Sequence, residues 1–210
     1  MTLSEKLVKL EQILKPLYVE NKNKLPFHGW HHIVFVRSKA INIAGSLNIN
    51  SLIIESAILV HDLNYIVKTN SEPEEGKTLR NRYLIESGYD EQEIVWIEKI
   101  INESHTKTRG LSISDEGRVL SDADTLFKAL PITPIIFAGK YITENEIDIS
   151  KLAQKIVNEQ VPLLNEDIYF YTDFAKQNYL KWAETNIELW QNVLDCLKDE
   201  DVRELLNNHN

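Results

Sequence analysis

The chain of 210 residues is poor in the residues that several common kinds of site require. Cys196 is its only cysteine, so no intrachain disulfide can form and zinc sites built from several thiolates are excluded. It has 7 glycines, and no G-x-G-x-x-G or G-x-x-x-x-G-K-[ST] can be drawn through them, which removes the Rossmann and Walker types of nucleotide site. Long apolar runs are missing too. Leu52–Val60 and Ile132–Gly139 fall far short of the roughly 18 residues of a membrane span. The opening MTLSEKLVKLEQILKPL alternates charge with leucine instead of forming a continuous apolar core, so a secretory leader is not expected. Positive charge is in deficit: 23 Lys and Arg stand against 32 Asp and Glu, a net −9. That balance argues against membrane-surface binding and bulk nucleic-acid binding, while leaving room for a local basic pocket. With 43% hydrophobic and 26% charged residues, the expectation is a globular protein of the cytoplasm.

What is present is helical periodicity. Leu3, Leu7, Leu10, Leu14 and Leu17 step by four and three along one stripe. Ile33, Val36, Ala40, Ile43, Ala44 and Leu47 form a second stripe, which Gly45 and Asn48–Asn50 should bring to an end. Ser51 is the expected N-cap of a third helix, Leu52–Leu63, apolar nearly all round and so expected at the centre. The polar stretch Asn64–Gly76 reads as a loop. Further helices are expected at Lys77–Glu86, Asp90–Ser104, Ser114–Ala129 and Thr133–Ile142. A long pair, Ser150–Leu164 and Asp167–Leu197, should follow, then a short polar tail. The prediction is one all-α domain over residues 1–210, with a core over about 25–145 and C-terminal helices over about 150–206.

Chemistry is concentrated in the six histidines and a few acids. His61 follows Ile54, Ala57 and Ile58 by seven, four and three residues, which places it on the face they bury. Asp62 comes next, and a buried carboxylate beside a buried imidazole is costly unless it is paired or coordinated. His32 heads the second stripe. His28, four residues earlier, shares its face if that helix begins by Phe27. H-E-x-x-H is absent, because Gly29 stands at the Glu position. In VLSDADTLF, Asp122 and Asp124 flank the apolar arc of their helix on opposite sides, and periodicity does not say which enters a site and which caps a neighbouring helix or is solvated.

His32, His61-Asp62 29 residues later and Asp124 62 residues beyond that make an H…HD…D order. With the contexts HHIVFVRSKA, ESAILVHDL and LSDADTLFKAL, this order resembles the HD superfamily of metal-dependent phosphohydrolases over residues 27–130. The resemblance implies an all-α bundle whose His32, His61, Asp62 and Asp124 hold one or two divalent ions (Mn, Mg, Co, Fe, Ni or Zn). An ion so held would bring water's pKa down towards about 7 and neutralise charge on a phosphoryl oxygen, with Asp62 orienting the water or taking its proton. His105, on the apolar face with Ile101, Ile97 and Ile94, matches a position where some members carry a further histidine. The resemblance implies a catalytic role beside Asp62, as a ligand to a second ion or a contact to substrate, and a satisfied core histidine is the other reading. Members often carry another His or Glu soon after the HD pair. Here that loop offers only Glu72, Glu74 and Glu75.

The implied partner is a small-molecule phosphate, a phosphomonoester or phosphodiester with a nucleotide as the leading class. Its charge calls for local cations. Lys107, Arg109 and Lys140 are the substrate-binding candidates, with Lys77, Arg80 and Arg82 behind them. The aromatic run Tyr169, Phe170, Tyr171, Phe174, Tyr179, Trp182 and Trp190 would stack a base or pack the C-terminal helices against the domain or a second subunit of a homodimer. Two other readings of the same residues are a di-iron oxygenase and a non-catalytic metal-binding signalling module.

Overall fold

A computed structural model of the chain describes residues 1–106 and 109–207. Among them every regular element is helical and none is a strand, so the fold is all-α. In order they are α1 (Leu3–Glu20), α2 (Trp30–Leu47), α3 (Leu52–Val60), α4 (Asn64–Val67), a 3-10 turn (Pro73–Gly76), α5 (Lys77–Glu86), α6 (Glu91–Ser104) and α7 (Asp115–Ala129). They continue with α8 (Thr133–Ile136), α9 (Ala138–Asn145), α10 (Ile149–Asn165), α11 (Asp173–Cys196) and α12 (Glu200–Asn207). No described helix is long and apolar enough to cross a membrane.

Helix α3 is the axis of the core. Every residue from Ile53 to Val60 is buried, and α1, α2, α6 and α7 pack around it. The stripe of α1 docks here through Leu7, Leu10 and Leu14, with Tyr18 in its last buried place. A capping box starts α1: Thr2 Oγ1 accepts from the Glu5 N–H, and the Thr2 N–H donates to the Glu5 carboxylate. Helix α2 runs through Gly45 and stops at Asn48, whose left-handed backbone (φ 56°) suits a C-cap. Ser51 does not cap α3. Its hydroxyl donates to Glu55, and Asn50 Oδ1 accepts the Leu52 N–H instead.

Three boundaries differ from the periodicity, each for a local reason. The regular part of α3 ends at Val60, and His61–Leu63 form a tight turn in which the Leu63 N–H donates to the Val60 carbonyl. The expected helix Thr133–Ile142 breaks at Phe137. That break brings the Phe137 ring onto Phe127 (4.9 Å) and parallel to His31 (5.4 Å, 12°). The expected helix from Asp167 begins only at Asp173. Residues 167–172 form a strap, entered through Asp167 at φ 56°, that buries Ile168, Tyr169 and Phe170, three consecutive apolar side chains that one helix stripe cannot all bury. At the other end, the polar tail is not wholly irregular. Asp199 Oδ1 accepts from Asp201 and Val202 at the start of α12.

The polar segment 64–76 is a fixed wall. Asn64 Nδ2 donates to the carbonyl and hydroxyl of Ser71 (3.0 and 3.1 Å). Gly76 lies so close that a Cβ there would stand 2.6 Å from the Asn64 nitrogen. Arg80 is fully buried, bidentate to Glu98 (2.8 and 2.6 Å), and donates to the Pro73 carbonyl (2.6 Å). It is a structural cation, not a substrate ligand. Removing Glu98 strands that guanidinium, so Glu98→Ala is expected to cost about 3–5 kcal/mol in urea unfolding.

Candidate metal centre

Four side chains from three elements meet beside the end of α3. Gly29 is the N-cap of α2, and His32 sits in that helix's first turn with no exposed surface. A Cβ on Gly29 would come 2.6 Å from the Leu25 carbonyl, so glycine permits the close entry that aims His32 inward. His61 and Asp62 come from the turn after α3, and Asp124 from α7. His32 Nε2 lies 3.2 Å from both Asp62 Oδ2 and Asp124 Oδ1. His61 Nε2 lies 3.1 Å from Asp62 Oδ2 and 3.9 Å from Asp124 Oδ1. The other ring nitrogen of His61 is fixed by the Ile58 carbonyl at 2.8 Å, so Nε2 faces the carboxylates.

These groups are close without satisfying one another. His32 Nδ1 and Nε2, His61 Nε2 and Asp62 Oδ2 are all buried and make no hydrogen bond among the described residues. One ligand atom from each of His32, His61 and Asp62 lies within 4.8 Å of the others. Buried polar atoms are normally paired, and imidazole with carboxylate is a donor set for a first-row divalent cation. The residues therefore fit a metal ion.

Without a metal, protons must do the cation's work. Burial disfavours charge on His61, but Asp62 and Asp124 outweigh it and push the imidazole up to about 10; His32 is raised by the same carboxylates against the same opposition. Asp62 is held well below the usual carboxylate range, where burial is overcome mainly by His61 and His28. Asp124 is held low by Lys128 and the two imidazoles, again against burial. A histidine raised above its ordinary 6.5 stabilises the fold fully below that pH and stops doing so as pH rises through its folded value. Metal-free protein should therefore lose melting temperature between about pH 7 and pH 10. The ion-loaded protein should lose less, because the ion replaces the protons. Thermal melts with and without chelator check this.

The structure separates the two aspartates of α7. Asp122 accepts from the Tyr171 N–H (2.7 Å), the Thr172 N–H (2.8 Å) and the Thr172 hydroxyl (2.7 Å), so it anchors the strap entering α11. Burial outweighs those donors and pushes it up to about 6. Asp124 faces His32 and His61, with its second oxygen 2.8 Å from Lys128 Nζ. The variants should differ accordingly. Asp122→Ala is expected to lose roughly 3 kcal/mol of stability and keep its metal, whereas Asp124→Ala loses the metal and stays folded. Metal analysis beside circular dichroism reads both.

The histidine–aspartate cluster opens onto a cavity of about 160 Å³ walled by segment 64–76, α7, α9, α10 and α11. His105, the C-cap of α6, lines it, with Nε2 3.6 Å from Glu72 Oε2. Arg109 also lines it. Among the described residues that buried guanidinium is bonded only to neutral acceptors, the Ile168, Tyr169 and Ser104 carbonyls and Thr125 Oγ1, and its Nε has no hydrogen-bond partner. Burial disfavours its charge, while Tyr171, Asp124 and Asp122 act in the opposite sense, so this cation sits in the field of the site's own carboxylates.

Lys140 corrects the expectation from sequence. It is exposed on α9, with Nζ 4.6 Å from the Phe137 ring centre, and does not line the cavity. Lys77 pairs with Glu74 on the surface, and Arg82 is exposed over Tyr83. Lys107 lies outside the described residues. Of the aromatic run, only Tyr169 and Trp190 line the cavity.

Three lining or supporting residues escaped the sequence reading. Lys128 had a usable signal, four residues after Asp124 on the same helical face. Lys155 had none. Glu144 had none either: it reaches across the fold to accept from the Phe27 and His28 N–H groups (2.7 and 3.0 Å) and pairs with His28 Nδ1. His28 precedes α2, so it does not share His32's helical face. Its ring lies parallel on Tyr65 (3.8 Å, 7°) and lines the cavity.

No protein-family model matches the chain, and no curated protein sequence matches it. Among solved structures, the crystal structure of a Lactobacillus plantarum protein, a structural-genomics target, is similar. It has a TM-score of 0.63 at 17% identity and covers 94% of this chain and 97% of that one. At that identity the likeness is one of fold.

Proposed function

We propose that this protein is a metal-dependent phosphohydrolase of the HD type, cleaving a phosphomonoester or phosphodiester of a small molecule. The observation that carries the reading is the convergence of His32, His61, Asp62 and Asp124, with His32 Nδ1 and Nε2, His61 Nε2 and Asp62 Oδ2 buried and without hydrogen-bond partners among the described residues. A divalent ion there supplies an acidified water and neutralises charge on a phosphoryl oxygen.

The chain's own residues supply the rest. Asp62, ionised and lining the cavity, orients the attacking water. Lys128 and Arg109 put positive charge beside Asp124 and Thr125, where a phosphoryl group would lie. His28 is arranged for proton transfer. Glu144 holds its Nδ1 and so fixes the ring, while Nε2 has no protein partner among the described residues and is placed to give a proton to the oxygen leaving phosphorus.

Elemental analysis of the purified protein, with phosphate release measured from a panel of esters with Mn²⁺, Mg²⁺ or Co²⁺, tests the reading. Bound metal and turnover are expected together. Two irons per chain without phosphate release would point to an oxygenase, and stoichiometric metal without any reaction to a signalling module.

A further inference from the structure

The cavity extends from the histidine–aspartate cluster into a compartment built by the C-terminal helices. Its apolar surface comes from Leu152, Ile156, Leu163 and Trp190. Set into that surface is a polar girdle. Lys155 pairs with Glu159 at 2.8 Å, and Gln160 Oε1 accepts from the Tyr169 hydroxyl at 2.9 Å. The bonds of Glu159 and Gln160 each use one side-chain oxygen, and the half-buried Gln160 amide nitrogen, second Glu159 oxygen and Tyr141 hydroxyl are engaged by no other described residue, on three residues that line the cavity. Donors and acceptors thus both stand on this wall. A cavity of about 160 Å³ holds on the order of ten waters, the scale of a phosphate with a compact substituent.

A nucleobase wants a free aromatic face. Tyr65 has His28 stacked on it at 3.8 Å. Phe27 is packed edge-on by Tyr141 and Phe127, at 4.9 and 5.3 Å, and Tyr169 by Phe170 at 5.1 Å with its hydroxyl committed to Gln160. Trp190 is buried against Leu152 and Ala153.

We propose that this compartment receives the organic part of the substrate, and that this part is a compact, hydroxyl-rich polyol or sugar and not a nucleoside. The inference rests on the phosphohydrolase reading. Hydroxyls would satisfy the open groups of Gln160, Glu159 and Tyr141, whereas a hydroxyl-free group of the same size would bury them unpaired, the situation in which enzymes discriminate most strongly. The reaction is ordinary hydrolysis: water adds to phosphorus, the P–O bond to the polyol breaks, and the polyol oxygen leaves with a proton.

The test measures kcat/KM with Mn²⁺ for pentose, hexose and glycerol phosphates, nucleoside monophosphates and phenyl phosphate. A polyol or sugar phosphate should exceed every nucleotide by at least about tenfold. Gln160→Leu and Glu159→Gln should each lower the ratio of the best sugar ester to phenyl phosphate by about tenfold or more, chiefly through KM. Turnover of nucleotides in preference to every sugar ester, or a ratio unmoved in both variants, overturns this inference and leaves the phosphohydrolase reading standing. Hydrolysis of no ester at all overturns both.

Discussion

Asp62→Ala and His61→Ala are each expected to strip the protein of its metal and reduce phosphate release to the background without metal. Each variant deletes an atom that faces the other ligands at 3.1–3.2 Å. Loss of a partner outside the coordination sphere typically costs 10–100-fold in affinity or activity, so loss of a ligand should cost more. The fold should survive, because α3 is anchored by eight buried residues upstream and not by its terminal turn. Circular dichroism would show unchanged helicity while metal content falls to zero. A variant that keeps both metal and turnover would show that the cluster is not the catalytic centre.

Replacing His28 by Asn, or Glu144 by Gln, should divide substrates by leaving group. General acid catalysis contributes about 10²–10⁴-fold when the departing oxygen is a poor leaving group, and little when it leaves readily as a phenolate. Both variants are therefore expected to lose at least about 100-fold on alkyl phosphates and only a few-fold on nitrophenyl phosphate. The two should resemble each other, because Glu144 acts through the imidazole it holds. Equal losses on alkyl and aryl esters would instead mark the pair as a brace between α9 and the start of α2, the role already visible in the two backbone N–H groups that Glu144 accepts.

Much of the helical order is legible in the sequence because burial repeats locally. The stripe of α1, the all-round apolar α3 and the limits of α5, α6 and α7 follow from side chains a few residues apart. The site is legible to the extent that its chemistry lies in short motifs: His61-Asp62 on a buried face, His32 at the head of a stripe. What periodicity leaves open is whatever distant packing decides. Asp122 and Asp124 are equivalent about their helix axis until the strap at 171–172, some fifty residues later, claims one of them. Glu144 lies 116 residues from His28, and the acceptors of Arg109 are mostly backbone carbonyls, which carry no residue identity. The breaks at Phe137 and before Asp173 likewise follow from tertiary contacts that override a continuous helical pattern.

Titration of chelator-treated protein with Mn²⁺, followed by the paramagnetic signal of the free ion, addresses the centre of the account without reference to any substrate. The expectation is at least one tight site per chain, absent from Asp62→Ala and Asp124→Ala and intact in Asp122→Ala if that variant is measured below its melting temperature. Binding that is equally strong in all three variants, or missing from the wild-type chain, would contradict it.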